Sequence, residues 1–170
     1  LTKNLMDSGF QDMLKQYGIK VIDIDAEKTD EVLSHGETHY IPKCFQEYPV
    51  RIAIPAASKR EGMIYSNNVK LFVGAVPRNR YQLDGMPAGK GVPRPRIHEN
   101  LHVSVANLFL AVKKYAPFQY FINGGLSYHE NAGEFVFTES LIGNDALELD
   151  CHIYRKFFKD CEYPAYLDIL

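Results

Sequence analysis

The order of segments between Val69 and Thr138 constrains the fold of this chain more than any single residue does. A strand-like run, Val69-Lys-Leu-Phe-Val-Gly-Ala-Val76, leads into a connector rich in proline, glycine and arginine. The connector is followed by an apolar segment from Leu101 to Val112 and then by a second strand-like run, Glu134-Phe-Val-Phe-Thr138. Apolar runs of such different lengths predict a fold that contains both strands and helices.

The composition is that of one globular domain. The chain has 170 residues, of which 46% are hydrophobic and 24% are charged. This length and apolar fraction suffice for a core, so we predict a single domain over residues 1–170. The net charge of −2 and the pI near 6.3 argue against a nucleic-acid partner and against a membrane surface. The 11 tyrosines suit either a protein interface or the edge of the core.

The redox environment is indicated by the three cysteines of the chain, which are Cys44, Cys151 and Cys161. An odd number without paired spacing argues against a disulfide framework, and no Cys/His spacing fits a zinc site. We therefore predict reduced thiols, a cytoplasmic location, and no metal or other cofactor. The first residues lack the apolar stretch of a signal peptide, and no apolar run approaches the roughly 20 residues of a membrane-spanning helix.

Short elements are predicted for the N-terminal third of the chain. Residues 4–17 have apolar side chains at helical spacing and predict an amphipathic helix that ends before Gly18. The β-branched residues of 19–24 predict a strand, and the acidic residues that follow indicate a solvated face rather than a cation site. Residues 35–49 are predicted to be a loop, and the alternation in 50–54 predicts a half-buried strand.

The connector over residues 77–97 is predicted to be an extended loop or arm. A loop of this length inside a compact domain is unusual and is often functional. Its positive charge would suit an acidic surface on a partner, while an ordinary solvated loop is the alternative. The residues that make it a candidate interface are Arg78, Arg80, Tyr81, Arg94 and Arg96.

The second half of the chain adds an ambiguous segment and further strands. Residues 101–116 alternate like a strand at first, but their length favours a helix or a strand that passes into a helix. Residues 146–153 alternate well enough to predict a strand, and residues 166–170 close the chain with an apolar segment. Together these elements predict an α+β fold: a mixed or antiparallel sheet of five or six strands flanked by two or three helices.

One segment resembles a catalytic motif. His102-Val-Ser104 corresponds to half of the two-histidine phosphoesterase motif, in which His-x-Thr/Ser occurs twice so that one imidazole acts as base and the other as acid. The nearest second copy, His152-Ile-Tyr154, has tyrosine where a small hydroxyl is needed. No nucleophile elbow, phosphate-binding loop or activated thiol is present. We therefore predict a protein that is not an enzyme, with the phosphoesterase as the alternative.

The chain from residue 69 to residue 170 resembles the tail-terminator (cap) family of contractile injection systems and related contractile phage tails. The resemblance rests on a strand followed by an arginine-rich segment, a variable loop, a Pro-led segment that reaches an "NLYxLxAANF" pattern, and later a helix and further strands. The segments that carry it are Val69–Arg80, Asn100–Phe109, Glu134–Thr138, Leu147–Ile153 and Tyr163–Ile169.

This resemblance implies a structural role rather than a catalytic one. Such proteins form homohexameric rings that close the inner tube and contact the last layer of the sheath, so the expected partners are further copies of the chain and the tube and sheath proteins. Assembly is expected in the cytoplasm, with release as part of an extracellular or anchored particle. Arginines of the arm would pair with Asp23, Asp25 and Glu27 of a neighbouring subunit. Tyr166 and Leu167 are the C-terminal candidates for the interface, and a monomeric adaptor protein is a further alternative.

Overall fold

The computed structural model describes residues 10–60, 63–84, 94–129 and 133–170. In this part of the chain, helices and short strands alternate irregularly, which is an α+β architecture. The helices are α1 (Phe10–Gln16), α2 (Cys44–Glu47), α3 (Asn68–Gly74), α4 (Pro95–Glu99), α5 (Leu101–Tyr115), α6 (Ala146–Phe157) and α7 (Tyr166–Ile169), with 3-10 helices at Ile24–Ala26 and Arg78–Tyr81. The strands are β1 (Thr29–Ser34), β2 (Glu37–Pro42), β3 (Ile52–Ala53), β4 (Ser58–Arg60), β5 (Met63–Ser66), β6 (Tyr120–His129) and β7 (Gly133–Gly143).

The strands pair in three separate sheets. β1 and β2 form an antiparallel hairpin in which Ser34 pairs with Glu37. His35 and Gly36 between them have φ angles of 49° and 80°, the backbone of a two-residue type I′ turn. β4 and β5 form a second antiparallel hairpin. In the largest sheet, of order β3-β6-β7, β6 runs antiparallel to β7 and parallel to β3.

The predicted α+β class is confirmed, but the predicted single sheet of five or six strands is wrong. The largest sheet has three strands. The described residues contain seven α-helices rather than two or three. The difference arises because several apolar runs that read as strands fold as helices.

α5 is the central element of the hydrophobic core. Its buried residues Val105, Leu108, Phe109 and Val112 recur on successive turns of one face. The helix packs against α3, α7 and the β1–β2 hairpin, so one cluster of buried side chains joins elements from both ends of the chain. The prediction that the length of segment 101–116 favours a helix is confirmed.

The strand predicted over residues 69–76 is wrong, because most of this segment is helix α3. Its buried residues Val69, Phe72 and Val73 have the i, i+3, i+4 spacing of one helical face. A short apolar run of this length cannot be distinguished from a strand by its periodicity alone. The deciding contact is distant in sequence, since the side chain of Asp150 accepts the first backbone N–H groups of the helix.

The strand predicted over residues 146–153 is also a helix, α6. Asp145 is its N-cap residue, and its carboxylate accepts the backbone N–H groups of Leu147 at 2.8 Å and Glu148 at 3.0 Å. An acidic N-cap followed three residues later by glutamate is the sequence signature of a helix start. The sequence contains this signature, and it is stronger evidence for a helix than the alternation is for a strand.

Elements at the two ends of the chain also differ from prediction. Residues 19–24 do not form a strand; Ile19 and Val21 are exposed, and no described strand pairs with them. The C-terminal strand implied by the resemblance is instead the short helix α7, which buries Tyr166 and Leu167. The N-terminal helix is confirmed over Phe10–Gln16, and its first predicted residues lie outside the described part of the chain.

The arm predicted over residues 77–97 is described at its two ends only. Residues 77–84 include the 3-10 helix Arg78–Tyr81, and α4 begins directly after Arg94. Both ends contribute to the core, through the buried side chains of Tyr81 and Ile97. The central part of the predicted arm, residues 85–93, lies outside the described residues.

A buried carboxylate fixes the start of α3. One oxygen of Asp150 accepts hydrogen bonds from the backbone N–H of Asn68 at 3.0 Å, from the Asn68 amide at 2.9 Å and from the Tyr65 hydroxyl at 3.3 Å. The other oxygen accepts the backbone N–H of Val69 at 3.0 Å. Burial raises the pKa of Asp150 to about 6, although these hydrogen bonds favour the carboxylate and lower it. The carboxylate therefore satisfies two N–H groups at the first turn of a helix that does not contain it.

Three asparagine side chains and one tyrosine side chain extend this network. The amide of Asn123 donates to Asn67 at 2.7 Å, and the amide of Asn68 donates to Asn123 at 2.8 Å. The amide of Asn67 donates to the Tyr65 hydroxyl at 2.9 Å. The network thus connects β5, α3, β6 and α6 through side chains that are almost fully buried.

We expect Asp150→Ala to lower the free energy of unfolding by about 3 to 5 kcal/mol, because it leaves two backbone N–H groups and two side-chain donors without an acceptor in the core. Urea unfolding followed by circular dichroism at neutral pH measures this change. The matched control is Asp160→Ala, since Asp160 is exposed. A loss no larger than that of the control would show that the buried network does not stabilise the fold.

Candidate functional site: an arginine–tyrosine groove and an apolar sheet face

Three of the predicted interface residues line one groove. Arg80, Tyr81 and Arg96 come together beside the β2 strand, around a space of about 230 Å³. The other lining residues are Glu37, Thr38, His39, Tyr40, Ile97 and Ser104. The groove is therefore formed where the described ends of the arm pack against the hairpin.

Arg80 and Arg96 are the exposed cations of this groove. The Arg80 guanidinium lies 5.1 Å from the centroid of the Tyr40 ring, within cation–π distance. The Tyr81 hydroxyl accepts the backbone N–H of Tyr40 at 3.0 Å, and burial raises the pKa of Tyr81 to about 12. Arg96 pairs at 3.0 Å with Asp84, whose carboxylate is exposed. An exposed pair of this kind contributes little to stability, so Arg96 can exchange its partner.

Arg78 pairs with an acidic residue of its own chain. Its Nε donates to one oxygen of Asp25 at 2.6 Å, and its backbone N–H donates to the other at 2.8 Å. Burial acts to raise the pKa of Asp25, but the hydrogen bonds and charge of Arg78 outweigh it and hold this pKa below its ordinary value. The sequence predicted the Arg78–Asp25 attraction between neighbouring subunits, and the structure forms it within one chain.

Arg94 is a buried residue, with 9% of its surface exposed. Its guanidinium donates to the carbonyl oxygens of Val76 at 2.7 Å and of Gly74 at 3.1 Å, just beyond and at the end of α3. Its backbone is left-handed, with φ of 58°, a conformation that is uncommon for residues other than glycine. Burial lowers the pKa of Arg94. The residue therefore joins α3 to α4 from inside the fold and offers little surface to a partner protein.

Tyr166 and Leu167 are likewise interior residues. The Tyr166 hydroxyl donates to the carbonyl oxygen of Tyr65 at 3.0 Å, and both side chains belong to the main hydrophobic core. Burial raises the pKa of Tyr166. These two residues hold α7 against the rest of the fold, so most of the C-terminal surface that the sequence assigned to an interface is taken up by intrachain packing.

The two histidines of the phosphoesterase hypothesis, His102 and His152, lie on different helices, α5 and α6. The His102 ring stacks on Tyr166 at a centroid distance of 5.9 Å. His39 is buried, and its Nε2 lies 3.6 Å from a Glu37 oxygen. Burial lowers the pKa of His39 although the Glu37 carboxylate acts to raise it. The described ring contact of His102 is thus with a phenol, whereas the two-histidine mechanism places two imidazoles across one phosphate.

The sequence missed an apolar surface on the three-stranded sheet. The alternation in residues 50–54 predicts a strand with Ile52 and Ile54 turned inward, yet these side chains are 48% and 72% exposed. The inward position belongs to Ala53, which packs in the core beside Phe121. The sequence shows the alternation of this strand but not which of its two faces is buried. A small alanine in the core with isoleucine on the surface is the less usual arrangement.

The described residues contain no group of three or more metal-binding side chains, and none of their helices has both the length and the apolar character needed to cross a bilayer.

Comparison with known proteins identifies a family. The chain belongs to the family described as Domain of unknown function (DUF362), which matches residues 1–155. No curated protein and no solved structure matches the chain. The tail-terminator role stays a prediction, and two of its supporting segments, residues 69–76 and 147–153, fold largely as helices where strands were expected.

We expect the Asp25–Arg78 pair to make stability depend on pH in the acid range. Because the pKa of Asp25 is lowered in the folded state, the contribution of the pair is present above the unfolded pKa near 4 and is lost as the pH falls through the folded value. Arg78→Gln should therefore reduce the loss of stability between about pH 5 and pH 3, as measured by urea unfolding at both pH values.

The control for this experiment is Arg96→Gln, which removes an arginine whose partner Asp84 is fully solvated. Its free energy of unfolding should change with pH in the same way as that of the wild-type protein. If the free energy of unfolding of Arg78→Gln also changed with pH in that way, Asp25 would not be the source of the acid dependence.

Proposed function

We propose that this protein is a structural assembly protein that associates with further copies of itself through the apolar face of the β3-β6-β7 sheet. The observation that carries the proposal is the exposure of large apolar side chains on one face of regular secondary structure. Scattered apolar residues are normal on protein surfaces, whereas a contiguous patch marks an interaction site.

Strand register places these side chains side by side. Ile52 on β3 pairs with Tyr120 on β6, and Ile122 on β6 pairs with Ile142 on β7. Partners in a register point to the same face of a sheet, and residues two apart along a strand do so as well. Tyr120 and Ile142 are 50% and 66% exposed, and Ile54 follows β3 with an exposure still greater. These five residues therefore form an apolar surface that crosses all three strands in the described part of the outer face.

A second copy of the chain is the partner that this surface fits best. The five side chains of the face carry no charge, so two copies can bury them against each other without placing an ion next to another ion of the same sign. Burial stabilises such a contact by about 1.5 to 3 kcal/mol for each isoleucine that becomes fully covered.

The contact uses the face of the sheet rather than its edge. β3 is an edge strand of two residues, and Pro49 and Pro55 flank it closely. Short edge strands with proline nearby resist the addition of another strand. The face is therefore available for association, while the β3 edge of the sheet is protected from uncontrolled pairing.

The tail-terminator ring is the specific form of this proposal that the sequence resemblance implies. In that form the face would contact a different surface of the next subunit, and the exposed arginines Arg80 and Arg96 would meet acidic residues of that subunit or of the tube and sheath proteins. A ring and a face-to-face pair differ in mass, so a single measurement separates them.

We expect light scattering across a concentration series to give a mass above 19.4 kDa, the mass of one chain. A mass near twice that value would support the face-to-face pair, and a mass near six times would support the ring. Replacing Ile54 and Ile142 together by lysine should return the protein to a monomer, because lysine would bring like charges to the centre of the contact.

The matched control is Leu33→Lys, since Leu33 is 64% exposed on the β1–β2 hairpin and lies outside the sheet face. This variant should associate like the wild-type protein. A wild-type protein that stays monomeric throughout the series, or an association that the double lysine variant leaves intact, would refute the proposal. Circular dichroism of each variant would show that the fold is retained.

A further inference from the structure

We propose that a pocket between the β4–β5 hairpin, α3 and α4 binds a small phosphate-bearing anion. The pocket encloses about 360 Å³, within the size range of small-molecule sites. It lies apart from the sheet face, so the inference does not depend on the proposed assembly role. Its lining residues are Pro55, Ala56, Ser58, Ser66, Asn67, Lys70, Leu71, Val73, Gly74, Arg94 and His98.

The charge of the lining is one-sided. Of the described lining residues, Arg94 and Lys70 are cationic and none is an aspartate or glutamate. Lys70 already has an interaction partner within the protein, so Arg94 is the cation that a bound anion would meet. Concave sites lined by one sign of charge concentrate counter-ions, and arginine and lysine are the usual ligands of phosphate groups. The composition of the pocket therefore selects an anion.

Arg94 supplies positive charge that is not paired with any carboxylate of the described residues. Its guanidinium is held by the carbonyl oxygens of Val76 and Gly74, and no described carboxylate lies within ion-pair distance of it. Asp25 acts on Arg94 only through its longer-range field, and its oxygens are already engaged by Arg78. A guanidinium that is mostly buried, fixed in position and without an acidic partner is well suited to attract a ligand anion.

Neutral donors complete the pocket. Ser58 and Ser66 are register partners at the base of the β4–β5 hairpin, so their hydroxyls belong to the same face. His98 contacts the carbonyl oxygen of Arg94 at 3.0 Å through Nδ1, and because a carbonyl only accepts, Nδ1 carries the proton. In the neutral imidazole Nε2 is then an acceptor, so the neutral donors of the pocket are the hydroxyls of Ser58 and Ser66 and not the ring of His98.

Gly74 provides a direct way to test the pocket. It is the last residue of α3, it lines the pocket, and a Cβ atom built on it meets no atom within 4 Å. A side chain at this position therefore begins in open space beside the pocket and does not clash with the core. Gly74→Glu adds a carboxylate at the lining of the pocket, and Gly74→Gln adds a neutral side chain of the same size there.

The test is isothermal titration calorimetry of the purified protein with inorganic phosphate at constant ionic strength. We expect saturable binding that Gly74→Glu weakens by about tenfold or more, while Gly74→Gln stays within about threefold of the wild-type protein, since a like charge in the pocket repels the anion. Lys114→Gln, which replaces an exposed lysine on α5, should leave binding unchanged.

Three results would overturn the proposal. The first is an absence of saturable phosphate binding by the wild-type protein. The second is equal binding by Gly74→Glu and Gly74→Gln, which would place the anion outside the pocket. The third is binding of acetate as tight as that of phosphate, which would make the site one for carboxylates. A thermal unfolding scan of each variant without phosphate would show that weakened binding does not reflect loss of the fold.

Discussion

The carboxylate of Asp150 stabilises this fold at the buried start of α3. It lies in α6, yet it accepts the backbone N–H groups of Asn68 and Val69 at the start of α3. Unpaired N–H groups at a buried helix start are costly, and an anion there also interacts well with the helix dipole. The position of α3 thus depends on one side chain about 80 residues further along the sequence.

The rest of the architecture builds on this anchored helix. α3 packs on α5, and its end receives the Arg94 guanidinium through the carbonyl oxygens of Gly74 and Val76. A negative group at the first turn and a positive group at the last turn is the arrangement that the helix dipole favours. Because Arg94 and α3 form two walls of the anion pocket, the same electrostatic arrangement that stabilises the helix also leaves a fixed cation beside an open space.

The sequence predicted those parts of the structure that local pattern decides. The long stripe of α5 and the apolar spacing of α1 indicate helices, and both are present. α3 could not be assigned in this way, because its short apolar run is compatible with either element and its cap comes from a distant aspartate. α6 is predictable from the capping signature of Asp145 and Glu148, which competes in the sequence with a strand-like alternation. For the site, the sequence identified the relevant arginines, but whether a charge pairs within a chain or between chains depends on the tertiary structure.

Strand β6 has one face in the core and the other face on the surface of the three-stranded sheet. Phe121 and Asn123 point inward, to the core and to the network around Asp150, whereas Tyr120 and Ile122 point outward. Because side chains alternate along the strand, those on one face stabilise the fold and those on the other face determine the character of the surface. Because the inner face already secures the fold, the apolar character of the outer face is not needed for folding. An exposed face of isoleucine and tyrosine adds risk of aggregation without stabilising the monomer, and this cost is the physical reason for assigning the face to a contact between chains.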